Sequence, residues 1–209
     1  MTVDLAQPWT VVSSPLLGAV LALLARSSEP LTGREVHRLC AAGSQEGVRR
    51  ILLRLADHGL VHRVEKRGTS LFSLNRAHLA APAVTTLTSM RGELMDRVRA
   101  SVHDWMVKPV HLLMFGSAAR GDGGLESDID LVVVRPDAVD AVDPTWEAQV
   151  GSLRESIVAW TGNHASFIEH SEADFRALLA SGAAFLAEWR RDAVHLAGVD
   201  VMDLAGTRS

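Results

Sequence analysis

Only one cysteine, Cys40, occurs in the sequence. That excludes an internal disulfide and any zinc site built on paired thiolates. Cys40 lies in an apolar helical stretch and reads as a small buried hydrophobe rather than a reactive thiol. No basic segment leads an apolar one at the start, where Asp4 stands instead, so no signal peptide is expected. The most apolar run, Pro15 to Ala25, is too short to span a bilayer. The expected compartment is the cytoplasm, with no membrane partner. No repeat or low-complexity tract breaks the chain. His103, His111, His164, His170 and His195 share no metal-ligand spacing such as H-x3-H, and read as structural. Trp105, Trp146, Trp160 and Trp189 sit in apolar helical contexts and read as core.

What is present describes a folded protein of one large domain or two small ones. Of its 209 residues 47% are hydrophobic and 22% charged, enough to bury a core and too apolar for a disordered chain. The net charge of −4 conceals an asymmetry. Residues 1–80 hold ten Lys and Arg against six Asp and Glu, and the remainder eleven against nineteen. A basic part followed by an acidic one suggests a polyanion-binding module joined to something else.

The basic part patterns as three helices and a hairpin. Leu16, Leu17, Val20, Leu21, Leu23 and Leu24 recur at helical spacing. Thr32 with Glu35 forms a capping-box signature for a second helix, roughly Gly33 to Ala41. Gly43 permits a turn, and Ser44 caps a third helix that carries Val48, Ile51, Leu52 and Leu55 on one face and closes at Gly59. From Val61 to Leu74, apolar and polar residues roughly alternate around a basic, glycine-containing tip, which predicts a β-hairpin. This order resembles the winged helix-turn-helix family, and Leu53-Arg54-Leu55-Ala56-Asp57-His58-Gly59-Leu60-Val61 looks like a recognition helix running into a wing. The resemblance implies a module that binds double-stranded DNA. Ser44, Gln45, Arg49, Arg50 and Arg54 would present the recognition helix to base edges and phosphates. Arg63, Lys66 and Arg67 would meet the backbone or minor groove from the wing. A basic face used for protein contacts is the alternative. A homodimer would strengthen the weak binding of one wing, although no dimer surface is legible.

After Ala81-Pro82 a long helix is expected, from about Ala83 to Trp105. Then come a strand (Val110 to Phe115), a glycine-rich turn opening a helix, a strand (Ile129 to Val134), an acidic loop, a helix (Trp146 to Trp160), a strand (Ala165 to Glu169), a further helix and a tail. Strands alternating with helices argue for an α/β or α+β fold.

The chemistry concentrates between Leu112 and Val134. An apolar strand ends at Gly116-Ser117, where backbone N–H groups and a hydroxyl at a helix start suit phosphate oxygens. Gly116 lets a ligand approach the main chain. Asp128 and Asp130 alternate with Ile129 and Leu131, so strand periodicity puts both carboxylates on one face. Adjacent carboxylates repel one another unless a cation lies between them. Oxygen ligands of this kind suit Mg²⁺ held jointly with substrate phosphates. A phosphate cradle opposite a metal-carboxylate pair is what metal-assisted phosphoryl or nucleotidyl transfer requires. Arg120 could hold a triphosphate, with an ion pair to Asp122 or Glu126 as its alternative role.

Gly116-Ser117, ten residues, then Asp128-Ile129-Asp130 resembles the DNA polymerase beta-type nucleotidyltransferase superfamily and, within it, the minimal nucleotidyltransferases. The resemblance implies an α+β fold in three parts: a winged helix-turn-helix (1–80), a linking helix (81–108) and a transferase domain with a mixed sheet flanked by helices (109–209). It further implies Mg²⁺ or Mn²⁺ on Asp128 and Asp130 as metal-binding and catalytic residues. Gly116, Ser117 and Arg120 would bind the nucleotide, and an NMP, AMP above all, would pass from an NTP such as ATP to a hydroxyl. The acceptor would be a protein, for instance a cognate toxin, or a small molecule. The family's third carboxylate has no clear counterpart here. Ser166 aligns where it would stand, and alternation puts Glu169 on the opposite strand face. The alternative function is a transcriptional regulator whose transferase-like domain only binds nucleotide.

Overall fold

The computed structural model describes residues 2–181 and 185–199. The fold is α+β and separates into two compact units, one formed by residues 7–90 and the other by residues 1–6 with the chain from 91 onward.

In the first unit, α1 (Pro15–Arg26), α2 (Gly33–Cys40) and α3 (Gln45–Asp57) are followed by the hairpin β2 (Val61–Lys66) and β3 (Thr69–Leu74). A two-residue strand, β1 (Leu31–Thr32), adds to β3 in the order β1-β3-β2. Helix starts reflect local chemistry. Thr32 Oγ1 accepts from the Glu35 N–H, while a Glu35 carboxylate oxygen accepts from the Thr32 N–H and hydroxyl, and these last two bonds hold the Glu35 carboxyl below its usual range. Ser44 Oγ accepts from the Gly47 N–H to cap α3. The hairpin turns on Arg67-Gly68, both at positive φ (52° and 76°), between the paired Lys66 and Thr69; positive φ at both central residues matches strand twist. Val20, Leu24, Val36, Val48, Leu52 and Phe72 form the core. Trp9, buried in a short 3-10 turn (Pro8–Val11), occupies the space where Gly18 of α1 lacks a side chain.

The single helix expected across residues 83–105 is two: α4 (Ala81–Thr88) and α5 (Met90–His103). Val84 of α4 joins the core of the first unit, whereas Leu94, Val98 and Val102 of α5 join that of the second. Ser89 leaves helical geometry between them. Separate apolar demands at the two ends divide what was expected as one element.

The second unit continues with β4 (His111–Phe115), α6 (Gly116–Arg120), β5 (Ile129–Arg135), α7 (Pro144–Thr161), β6 (Ala165–Ser171), α8 (Glu172–Ala180), α9 (Phe185–Asp192) and β7 (Val194–Gly198). The sheet runs β6-β5-β4-β7, with β5 and β6 parallel and the other pairs antiparallel. The segment expected as a helix and tail thus contributes a further helix and an edge strand; the tail beyond residue 199 lies outside the described residues. One sheet face carries Leu112, Met114, Ile129, Leu131 and Val133 against α5 and α7, where Trp105 and Trp146 meet edge-on at 5.8 Å. The other carries Leu113, Val132 and Val134 against Phe175 of α8, with Phe115 on Trp189 of α9.

Candidate active site

Two adjacent strands deliver the site. β4 and β5 pair so that Phe115 stands opposite Asp130, which brings the Gly116 turn beside the start of β5. Gly116 takes φ +70°, and a Cβ built on it would lie 2.8 Å from Asp130 Oδ2. The carboxylate therefore reaches over the bare main chain of the turn, and the positive φ there favours glycine. Asp128 precedes the first residue of β5, more exposed than strand alternation alone suggests, with its side chain 55% accessible.

The loop between α6 and β5 folds back on the same turn. Gly121 ends α6 in the left-handed region, its N–H donating to Ser117 O at 2.8 Å. A Cβ on Gly123 would fall 2.9 Å from both Ser117 Oγ and Ser127 Oγ, so the two hydroxyls converge on a glycine. Ser127 Oγ accepts from the Gly124 N–H. Ser117 Oγ makes no hydrogen bond among the described residues. At five residues α6 has little dipole to offer, so a phosphate here would rely on backbone N–H groups and hydroxyls rather than on the helix.

Electrostatics mark the pair of acids. The Asp130 carboxyl is pushed above its ordinary range, first by partial burial and then by the charge of Asp128, with His164 opposing. A half-buried carboxylate beside a second one, over a glycine that leaves the main chain open, fits a divalent cation and its oxygen ligands.

Three residues not singled out for this site in the sequence help to build it. Asn163, almost fully buried, accepts from the Val3 N–H and donates to Ser127 O at 3.0 Å and Leu125 O at 3.4 Å, clamping the loop before Asp128. Arg91 donates to Ala118 O at 2.9 Å and to Ala119 O, closing the C-terminal end of α6. His164, read in the sequence as structural, is 71% exposed and places Nδ1 3.8 Å from Asp128 Oδ2. Neither an asparagine nor a lone histidine carries a motif, so only the parallel register of β6 on β5 brings them here. His111, by contrast, is buried and bonded to Val199 O.

Arg120 does not face the pair of acids through any ion pair. It pairs with Asp122 at 2.9 Å and lies 3.8 Å from Asp192. On β6, Ser166 is in register with Asp130 and Glu169 with Val133. Glu169 thus lies on the opposite face, where its carboxylate accepts the Trp146 indole N–H at 3.0 Å.

In the first unit, Ser44, Gln45, Arg49, Arg50, Arg54, Arg63, Lys66 and Arg67 are all exposed. Arg49 pairs with Glu46, and Arg63 with Glu65. The side chains of Arg50, Arg54, Lys66 and Arg67 make no hydrogen bond or ion pair among the described residues.

Residues 100–177 match the nucleotidyltransferase domain family. That span holds the Gly116 turn, Asp128, Asp130 and strand β6. No curated protein matches the chain. Among solved structures, one of a toxin–antitoxin with AMP-PNP is 18% identical, covering 53% of this chain and 78% of that one at a TM-score of 0.36. A protein from E. coli, described as a predicted DNA-binding transcriptional regulator, is 21% identical over 41% of this chain and 83% of its own, at 0.32. A protein provisionally classed as a nucleotidyltransferase, from Sulfolobus solfataricus, is 17% identical over 50% and 80%, at 0.28. No described helix is long and apolar enough to cross a membrane.

Proposed function

We propose that the second unit is a divalent-metal-dependent nucleotidyltransferase that moves an NMP, AMP in the simplest case, from an NTP to a hydroxyl acceptor. The observation that carries the reading is the Asp130 carboxylate held over the bare Gly116 turn, within residues that match a nucleotidyltransferase family. A divalent cation on Asp128 and Asp130 would neutralise charge that develops on the phosphates. The main chain at Gly116 and the Ser117 hydroxyl bind phosphate oxygens from the opposite side. Ser127 and Asn163 position the loop that carries Asp128. In the reaction the acceptor oxygen bonds to the α-phosphorus, the bond to pyrophosphate breaks, and the hydroxyl proton leaves to solvent or a base. Arg120 would need to leave Asp122 before reaching a triphosphate.

The first unit is proposed as a winged helix-turn-helix that binds double-stranded DNA through α3 and the β2–β3 hairpin. Its support is the exposed basic set and the two-residue hairpin turn at Arg67-Gly68. One observation favours a second reading, in which the transferase-like unit senses nucleotide without turnover. A hydroxyl, Ser166, stands in register with Asp130 where the family resemblance places a carboxylate.

Incubation with radiolabelled NTPs, Mg²⁺ or Mn²⁺ and candidate acceptors tests the choice. Label transfer that disappears in the Asp128→Ala/Asp130→Ala double variant supports the transferase. Nucleotide binding that changes DNA affinity, without transfer to any acceptor, supports the sensor.

A further inference from the structure

The proposed cation needs ligands beyond its two carboxylates, and a role for His164 rests on that metal-site reading. β6 starts with Ala165 paired to Ile129, so His164 is the residue beside Asp128. The Ile129 N–H donates to His164 O at 2.9 Å, which fixes the backbone from which the ring projects. His164 Nδ1 lies 3.8 Å from Asp128 Oδ2. Two donor atoms each about 2.1 Å from one ion lie roughly 3 Å apart at a right angle and roughly 4.2 Å apart when opposed. The observed 3.8 Å matches neither, so a turn of the exposed ring is needed before the two atoms share an ion.

The next candidate on the same strand, Ser166, offers a neutral hydroxyl, and Glu169 is committed to Trp146 on the far face. Among the described residues no three His, Cys, Asp or Glu groups already stand together as a metal site, so the imidazole has to swing onto the ion. Its 71% exposure leaves the rotation unhindered by the core.

We propose that His164 completes the cation site through Nδ1, in place of a third carboxylate, so that the site takes Mn²⁺ in preference to Mg²⁺. Mn²⁺ also favours oxygen ligands but admits an imidazole more readily than Mg²⁺, which demands a near-octahedral oxygen shell and parts reluctantly with water.

Mn²⁺ alone, titrated into the full chain and followed by electron paramagnetic resonance, gives a test that does not depend on turnover. Pulsed spectra of the wild type should show nitrogen modulation from one imidazole. His164→Ala should abolish that modulation and weaken Mn²⁺ binding about tenfold or more. Ser166→Asp should raise Mg²⁺ affinity relative to Mn²⁺ by restoring an oxygen ligand. Bound Mn²⁺ without nitrogen modulation, released by Asp128→Asn, would overturn the role of His164 and leave the carboxylate site standing. Modulation that persists in His164→Ala overturns it equally. No Mn²⁺ binding at all would overturn both this inference and the metal-site reading beneath it.

Discussion

The acidic corner at Gly116 and the basic face of α3 and its hairpin use charge in opposite ways. At the corner, the groups that support the acids are held by the backbone, although Asp128 and His164 stay largely exposed. Asp130 lies over a glycine backbone, Asn163 is buried and triply bonded, and Arg91 is tied to carbonyls of α6. On the basic face the side chains project into solvent, and two of the arginines are engaged by neighbouring glutamates. The difference is one between preorganised chemistry and adaptable electrostatics. A reacting centre loses rate when its groups wander, whereas a polyanion surface works by summed charge at tolerant distances.

The sharpest way to break the comparison is to remove the acids. Asp130→Ala should lower nucleotidyl transfer by about three orders of magnitude, the scale expected when the cation that would stabilise the reacting phosphate loses a ligand. Circular dichroism should show the fold retained. Loss of activity under tenfold would mean the corner is not the reacting centre.

Next in size is the clamp. Asn163→Ala removes three hydrogen bonds and leaves the Ser127 and Leu125 carbonyls without that partner, while the Val3 N–H keeps Thr161 O. About 2–3 kcal/mol of stability should go, measured by urea unfolding, with faster amide exchange across residues 122–127. Gly116→Ala should cost about 1–3 kcal/mol, since the residue sits at φ +70° and its Cβ would press on Asp130 Oδ2. Nucleotide affinity should fall with it. A neutral effect at Gly116 would show that the carboxylate is not locked.

On the basic face the expected effects are smaller and graded. Arg50→Ala should weaken DNA binding by about 1 kcal/mol and reduce the slope of log affinity against log salt by about one unit. Arg49→Ala and Arg63→Ala should do less, because each must first leave Glu46 or Glu65. Equal losses at all three positions would mean those ion pairs do not compete with phosphate.

The contrast also governs what was legible in the sequence. Apolar periodicity located α1, α2, α3 and the core strands, and the capping box at Thr32 and Glu35 and the Ser44 cap are visible in the structure as bonds. The Gly-Ser and Asp-x-Asp spacing located a turn and a strand start that the antiparallel pairing of β4 and β5 brings together. What was not legible depended on register between distant segments. His164 and Asn163 gain their positions only because Ala165 aligns with Ile129. Strand β7 reads as tail because its apolar residues are few and its partner lies some eighty positions earlier. The break at Ser89 was hidden because it arises from α4 and α5 serving different cores.

The smallest effect concerns the charge on Asp130 itself. Its carboxyl is raised above the ordinary aspartate range by burial and by Asp128. A raised folded-state value means that the folded chain holds its proton more tightly than the unfolded chain. The associated stability is therefore fully present at pH below the unfolded value. It is lost as pH rises through the folded value, and the contribution is flat above that. At neutral pH, with no metal added, ionised Asp130 is thus a modest liability. Asp130→Asn should raise the thermal midpoint of the metal-free protein by a degree or two, under about 1 kcal/mol once solvent screening of this half-exposed group is allowed for. Added Mn²⁺ should stabilise the wild type and leave Asp130→Asn almost unmoved, reversing their order. A metal-free variant less stable than the wild type would mean that Asp130 contributes to the fold rather than opposing it, and the division between a strained acidic corner and a relaxed basic face would fail at its central residue.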